Sequence, residues 1–233
     1  DRPEPADSAT VAEASVSGNS GNSYSAAQSR TPLHKLLLEM EENPSDLSKD
    51  IQLSEMLKTA TTEDIKSPDG TGKTPLHIAA RGGLVNAVKK LLEKNIESSI
   101  DLKDKEQRQP LHHACLSGYK DIVEMLLQSG ADIEAKMRHG SRPLHEACWS
   151  GVLDVVNLLL TWGKPPADPN ARSDDGWSPL IVAVNEERED IVNRLLLEPN
   201  LDSSAVEEDA GFTALNLAIH RGSGIIVDAL PTQ

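Results

Sequence analysis

The stretch TPLHIAARGG, residues 74–83, contains the start and the end of a helix within ten residues. Thr74 suits the N-cap of a helix, because its hydroxyl can accept a hydrogen bond from a free main-chain N–H group of the first turn. Pro75 suits the first helical position, where its missing N–H group costs nothing. The small alanines at 79–80 allow a neighbouring helix to come close, and Gly83 suits the helix C-terminus. The stretch therefore predicts a short helix with a closely packed face.

The same element recurs along the chain at nearly constant spacing. Its six copies start at Thr31, Thr74, Gln109, Arg142, Ser178 and Thr213. The starts are 43, 35, 33, 36 and 35 residues apart. In the central copies a second helix is indicated by two apolar pairs four residues apart, as at 122–123 and 126–127, which form one apolar stripe. Repetition at a fixed period predicts a solenoid, in which each unit packs on its neighbours.

The six copies resemble the ankyrin repeat family, whose Thr-Pro-Leu-His-x-Ala start recurs about every 33 residues. The resemblance covers about residues 29–230. It implies an all-α solenoid of five to six ankyrin repeats, built from helix-turn-helix units that β-hairpin-like loops join. The ankyrin repeat domain is placed at residues 29–233. Residues 1–28 are rich in Ala, Ser, Gly and Asn, so we expect a flexible linker or tail there.

The first and last units depart from the pattern. The first has Leu36 and Leu37 where the small pair belongs, and its surplus of about ten residues falls at 39–52. We interpret this unit as an atypical N-terminal cap, since terminal repeats need a different outer face. The last unit stops within its second helix, so its apolar stripe is expected to be exposed or to be covered in a longer chain. A start at Asp1 instead of Met also indicates a fragment or a processed product.

Composition excludes several classes of protein. The chain carries 23 basic and 37 acidic residues, a net charge of −14, which disfavours binding to nucleic-acid phosphates. Aromatic residues make up only 3%, so a sandwich or barrel of aromatic-rich strands is not expected. The sequence has no run of 18 apolar residues that could span a membrane. Two cysteines and no signal peptide indicate an intracellular protein, cytoplasmic and/or nuclear.

Two groups of residues resemble chemical sites. His112 with Cys115, and His145 with Cys148, have the side chains of zinc ligands. Each pair occupies the His and the second small position of the repeat, however, so we interpret it as structural and predict no metal. In the family that the chain resembles, this histidine bonds the backbone and orders the turn.

The second group is Gly72-Lys73-Thr74, which resembles the end of a phosphate-binding loop. A complete loop requires a glycine where this chain has Ser67, together with a preceding buried strand, and neither is present. We therefore predict a hairpin tip. No catalytic signature occurs in the sequence, so we expect neither enzyme activity nor a cofactor.

The resemblance implies that partners meet the hairpin tips and the exposed face of the first helix in each unit. Candidate partner-binding residues at these positions are Lys103, Lys105, Arg108, Leu116, Lys136, Met137, Arg138, His139, Arg142, Trp149, Trp177 and Asn185. The tips at 103–108 and 136–142 are rich in basic residues, whereas those at 174–175 and 207–209 are acidic. A protein partner with acidic groups facing the central repeats would match this pattern. A solvated surface with an accidental bias is the alternative.

Trp149 is the strongest anchor candidate, because an exposed Trp with Arg and Met nearby is typical of a binding hot spot. Trp177 and Phe212 directly precede a cap, and we expect both to pack between tips. Arg142 replaces a capping hydroxyl. Sequence drift accounts for that change, and a contact patch of Arg142 with Arg138, Met137 and Trp149 is the functional alternative.

These observations favour a noncatalytic protein–protein interaction scaffold that is a monomer in isolation. The alternative is a regulatory or targeting ankyrin domain excised from a larger enzyme, channel or receptor. A third hypothesis is self-association through the incompletely capped C-terminal end.

Overall fold

The computed structural model describes residues 30–94, 99–208 and 210–231. The predicted tail at 1–28 therefore lies outside the described residues. The helices within those ranges are α1 Pro32–Glu42, α2 Leu47–Thr59, α3 Thr62–Lys66, α4 Pro75–Arg81, α5 Val85–Glu93, α6 Pro110–Ser117, α7 Lys120–Gln128, α8 Pro143–Ser150, α9 Leu153–Thr161, α10 Pro179–Asn185, α11 Glu189–Leu196, α12 Ala214–Arg221 and α13 Gly224–Ala229. A short 3-10 turn at Arg138–Gly140 lies before α8.

The helices form two parallel rows, and this confirms the predicted all-α solenoid. The first helix of each unit packs on the next first helix, in the order α1, α4, α6, α8, α10 and α12. The second helices pack in the same way, in the order α2, α5, α7, α9, α11 and α13. In the part of the chain that the structure describes, β structure amounts to one isolated antiparallel bridge, between Val206 and Thr213. No helix in these ranges is long and apolar enough to cross a membrane.

A side-chain cap begins the first helix of most units. The hydroxyl groups of Ser178 and Thr213 accept hydrogen bonds from the main-chain N–H groups three residues later, at 3.3 and 3.2 Å. Gln109 and Arg142 have no such hydroxyl. Their own main-chain N–H groups still donate to Nδ1 of the histidine three residues later, at 3.1 and 3.2 Å. Half of the cap is therefore retained where the hydroxyl is missing.

The core lies between the two rows. The small pairs at 79–80, 114–115 and 147–148 are completely buried, because their short side chains let adjacent first helices approach. Large apolar side chains on both rows, such as Leu111 and Ile122, fill the remaining space. Each fully buried Leu or Ile stabilises the fold by about 1.5–3 kcal/mol. The buried side chains form one continuous core along the stack, and each unit contributes to it together with its neighbours.

Most of the first helices end at a residue whose backbone is in the left-handed conformation. Gly118, Gly151 and Gly222 have φ angles of 77°, 82° and 73°, as expected for glycine at a helix C-terminus. In the fifth unit Glu187 replaces this glycine and adopts a φ of 54°. A Cβ atom at position 151 would also lie 2.6 Å from Nε of Arg188, so the Arg188 side chain would have to shift.

The N-terminal unit differs from the prediction in where its extra residues lie. They were expected at 39–52, but part of the surplus forms α3 at 62–66. Helix α3 begins there because Thr61 and Asp64 form a reciprocal capping box, and the buried Ile65 fixes the helix on the core. Both leucines at 36–37 are buried, as befits a cap that fills its own interface.

Candidate protein-binding surface

A tight hairpin connects each unit to the next. Within each tip one main-chain N–H group donates to a carbonyl oxygen four or five residues later, in the pairs Asp69–Lys73, Asp104–Arg108, Met137–Ser141, Ser173–Trp177 and Glu207–Phe212. Asp69 adds a side-chain contribution, because its Oδ1 accepts from the N–H groups of Thr71 and Lys73. The Gly-Lys-Thr sequence is therefore part of a hairpin tip, as predicted.

Successive tips are joined by their backbones. The N–H groups of Lys105, Arg138, Asp174 and Glu208 donate to Thr71, Glu106, His139 and Asp175 oxygens, at 2.9–3.1 Å. These bonds place the tips side by side along the row of first helices. The tips and the exposed face of those helices together form one continuous strip, which we call the inner surface.

Histidines fix the tips to the first helices. Nε2 of His77 lies 3.0 Å from the carbonyl oxygen of Arg108, and His145 makes the same contact with Trp177. His112 instead contacts the oxygen of Ala135, also at 3.0 Å. Nδ1 of each ring accepts a main-chain N–H bond, so the proton is on Nε2. Burial lowers the pKa of all three histidines to about 4.

One pair of buried polar residues, His113 and Asp104, was not predicted from the sequence. Nε2 of His113 lies 2.9 Å from Oδ2 of Asp104, and both side chains are almost fully buried. Burial raises the pKa of the Asp104 carboxyl, but hydrogen bonds from His113 and the Arg108 N–H group outweigh burial and leave that pKa below its usual value. The sequence does indicate a structural role for Asp104, because Asp69 occupies the same tip position in the preceding unit.

Several of the predicted basic residues are paired within the chain. Arg138 lies 3.4 Å from a carboxylate oxygen of Glu106, and Arg142 pairs with Glu134. Nζ of Lys103 donates to the carbonyl oxygen of residue 136 at 3.1 Å. Of the described residues, none forms an ion pair with Lys105, Lys136 or His139. The positive field on the tips is therefore weaker than the count of basic residues indicates.

The first helices present one residue per unit to the inner surface after the small pair. These residues are Arg81, Leu116, Trp149, Asn185 and His220. Trp149 has 39% of its surface exposed, whereas Leu116 and Asn185 are half-buried. In the last unit the ring of His220 lies 5.4 Å from the ring of Phe212, the residue before the cap. In the unit of Trp149 that residue is the small Ser141.

Comparison with known proteins agrees with this architecture. A family model described as ankyrin repeats (3 copies) matches residues 23–137 and 144–231. The chain belongs to the ankyrin repeat family. Ankyrin repeat domains are suited to protein–protein interaction, because stacked repeats present an extended surface.

The ankyrin repeat chain is similar to several curated proteins. It is 32% identical to the B-cell lymphoma 3 protein of Homo sapiens over 83% of this chain and 40% of that protein. It is 35% identical to the mouse homologue over 70% of this chain and 37% of that protein. The E3 ubiquitin-protein ligase KEG of Arabidopsis thaliana is 30% identical over 66% of this chain and 9% of the ligase. The chain thus spans less than half the length of each of these relatives.

The remaining residues that the sequence singled out in this ankyrin chain are partly or completely buried. Trp177 and Phe212 are partly buried and pack against the core. Met137 is half-buried at the base of its tip. Cys115 and Cys148 are completely buried, and burial raises the pKa of both thiols. In the described part of the chain, no group of three or more His, Cys, Asp and Glu residues is arranged to hold a metal ion.

Proposed function

We propose that this ankyrin repeat domain is a noncatalytic scaffold that holds a partner peptide or domain on the concave surface of its central repeats. The observation that carries the proposal is Trp149. This residue has 39% of its surface exposed in the middle of the inner surface, although burial of a Trp side chain is strongly favourable. A partner that covers this ring would gain the large apolar contact that is typical of a hot spot.

The remaining candidate residues would orient the partner. Acidic groups of the partner would face Lys105 and Lys136, which have no ion-pair partners among the described residues. Basic groups would face the exposed carboxylates of Asp174 and Asp175. Such complementarity sets orientation and association rate more than affinity. We propose that the domain is a monomer in isolation, that its partner is a protein and not a nucleic acid, and that it acts in the cytoplasm and/or nucleus.

The test compares Trp149→Ala with Leu197→Ala. Leu197 follows α11 in the row of second helices and has 77% of its surface exposed, so it is a matched apolar control away from the inner surface. Proteins captured by the wild-type domain are purified, and their dissociation constants are measured for both variants. Trp149→Ala should weaken binding by at least about 2 kcal/mol, or roughly 30-fold, with an unchanged circular dichroism spectrum. An effect below about twofold would contradict the proposal.

A regulatory or targeting domain attached to a larger enzyme, channel or receptor is the second candidate. The similarity to the Arabidopsis ligase favours it, since the matched region makes up only 9% of that enzyme. The complete transcript tests this candidate. An open reading frame that joins the repeats to a catalytic, channel or receptor domain would support it, and a frame that adds repeats alone would count against it.

A further inference from the structure

Lys73 and Arg108 occupy the same repeat position, directly before the cap of the first helix, in two successive units. Both are half-buried, and within the described residues neither side chain has a hydrogen-bond or ion-pair partner. A charged group that is partly removed from water without a partner is costly, and a bound anion offsets that cost. The other units place Arg30, Ser141, Trp177 and Phe212 at this position, and Nε of Arg30 already lies 3.9 Å from Oδ2 of Asp69.

Hydrogen bonds of one histidine hold these two positions next to each other. Nδ1 of His77 accepts the main-chain N–H group of Thr74 at 3.1 Å, and Nε2 of the same ring lies 3.0 Å from the carbonyl oxygen of Arg108. Thr74 directly follows Lys73 in the chain, so a single imidazole ring separates the backbone beside Lys73 from that of Arg108. The hydrogen bond between the two tips, from the Lys105 N–H group, keeps the same register.

The residue before the cap lies beside the residue that follows the small pair in two units. In the last unit the rings of Phe212 and His220 are 5.4 Å apart. The equivalent residues of the second unit are Lys73 and Arg81, and burial together with the positive charge of Arg81 lowers the pKa of the Lys73 amine. Arg81 is paired with Glu41 at 2.9 Å, so Lys73 is the unpaired cation of that unit on the inner surface.

The buried carboxylates of the same tips are already bound by their own tips. Oδ1 of Asp104 accepts two main-chain N–H groups, and its Oδ2 lies 2.9 Å from Nε2 of His113. Oδ1 of Asp69 likewise accepts two main-chain N–H groups. Neither carboxylate lies within the ion-pair distance of 4.0 Å from the charged nitrogens of Lys73 or Arg108. Both cations are therefore available to a partner.

The spacing of the repeats selects the shape of that partner. Lys73, Arg108 and Trp149 belong to three successive units, whose first helices α4, α6 and α8 pack in that order. Packed helices lie about 8–10 Å apart, and an extended chain advances about 3.3–3.4 Å per residue, so three residues of extended peptide match one unit.

We infer that the inner surface binds an extended acidic segment of the partner, in which two Asp or Glu residues three positions apart contact Lys73 and Arg108. A large apolar residue three positions farther along covers Trp149. This chemistry deepens the proposed function and rests on it, because it specifies the kind of segment that the same surface holds.

The experiment pans a phage-displayed library of random 12-residue peptides on the intact domain at low ionic strength. Selected peptides are synthesised, and their dissociation constants are measured by calorimetry. We expect them to share two acidic residues and one large apolar residue at successive intervals of three. Lys73→Met and Arg108→Met should each weaken binding at least tenfold, which corresponds to about 1.4 kcal/mol. Lys89→Met, at an exposed lysine of α5 without an ion-pair partner in the described residues, is the matched control and should change the affinity less than twofold.

Double substitution tests which acidic residue meets which cation. Replacement of the acidic residue nearer the apolar residue by its amide should weaken binding to the wild type at least tenfold. The same replacement should abolish the effect of Arg108→Met and leave the effect of Lys73→Met intact, and the other acidic residue should behave in the reverse way. A peptide of the same composition whose acidic residues are adjacent should bind at least tenfold more weakly. If Arg108→Met does not fold, Arg108→Gln provides the same readout.

The outcomes separate the inference from the proposed function. Peptides that depend on Trp149 but share no acidic pair, or that tolerate a change in its spacing, would overturn the inference alone. Peptides that depend on the two cations at the expected spacing but not on Trp149 would support the acidic pair and overturn the proposed function, which Trp149 carries. Peptides that depend on none of Lys73, Arg108 and Trp149 would overturn both.

Discussion

Nε2 of His145 lies 3.0 Å from the main-chain oxygen of Trp177, so one imidazole ring ties a helix of one repeat to the hairpin tip of the next. The same ring accepts a hydrogen bond at Nδ1 from the N–H group that begins its own helix. The contact spans 32 residues of sequence. The ring thereby joins the start of α8 to the next hairpin tip along the inner surface.

Replacement of this histidine should lower the stability of the fold. His145→Leu removes the Nδ1 acceptor of the Arg142 N–H group and one of the two hydrogen bonds that the Trp177 carbonyl oxygen accepts, the other coming from the Ser173 N–H group. We expect a loss of about 1–3 kcal/mol in the free energy of unfolding, measured by urea denaturation. His139→Asn is the control, because His139 is exposed and its positive φ of 63° suits Asn. A control loss equal to that of His145→Leu would contradict the prediction.

Acidification should destabilise the domain well above the range in which carboxylates titrate. Burial lowers the pKa of His77, His112 and His145 from 6.5 to about 4 in the folded protein. Between these pH values the unfolded chain binds more protons than the folded chain, so the free energy of unfolding falls as pH falls. Urea denaturation from pH 7 to pH 4.5 should show a loss steeper than about 1.4 kcal/mol per pH unit, the slope for one proton.

Glu146 acts in the opposite direction in this pH window. Its pKa is raised from 4.5 to about 7 by burial, so the folded protein binds more protons at this group and gains stability as pH falls. Glu146→Gln should therefore make the acid-induced loss steeper, whereas His145→Leu should make it shallower. Equal slopes in the wild type and both variants would show that other groups control the pH dependence.

Glu187→Gly should stabilise the domain. Glu187 has a φ of 54° at the end of α10, where other units use glycine, and it forms no ion pair with the described residues. A left-handed conformation costs a residue with a Cβ atom about 1–2 kcal/mol, and the extra freedom of glycine in the unfolded chain offsets part of that gain. We expect a rise of about 0.5–1 kcal/mol in the free energy of unfolding, measured in urea.

The reverse change provides the control for that prediction. Gly151→Ala adds a Cβ atom at a φ of 82° and places it 2.6 Å from Nε of Arg188. This variant should be destabilised, because the backbone is strained and the Arg188 side chain must move. If Glu187→Gly and Gly151→Ala changed stability in the same direction, the steric explanation would fail.

Cys148 should be unreactive in the folded protein. Its side chain is completely buried, so a reagent cannot reach the sulfur atom. Burial also raises the pKa of the thiol, so the reactive thiolate does not form at neutral pH. Ellman's reagent should label Cys148 and Cys115 only after unfolding. Cys148→Ser should cost about 1–3 kcal/mol because it buries a hydroxyl, and Cys148→Ala should cost less, since Ala80 fills the equivalent position. Rapid labelling without denaturant would contradict the burial.

The repeat in the sequence determined the fold of this ankyrin protein. The cap residues, the small pairs and the helix-ending glycines are local signals, and each unit packs mainly on its neighbours, so a pattern within about 35 residues specifies the stacking. The N-terminal unit was predicted less accurately, because α3 depends on a capping box outside the repeat pattern.

Only the tertiary structure decided which charges of the inner surface are available. Arg138 and Arg142 pair with acidic residues, whereas Lys105 and Lys136 form no ion pair with the described residues. The repeat period places these residues on the same strip, but it does not determine the distance between their charged ends. That distance depends on how long side chains from different units pack, and coulombic energy changes steeply with distance when water is partly excluded.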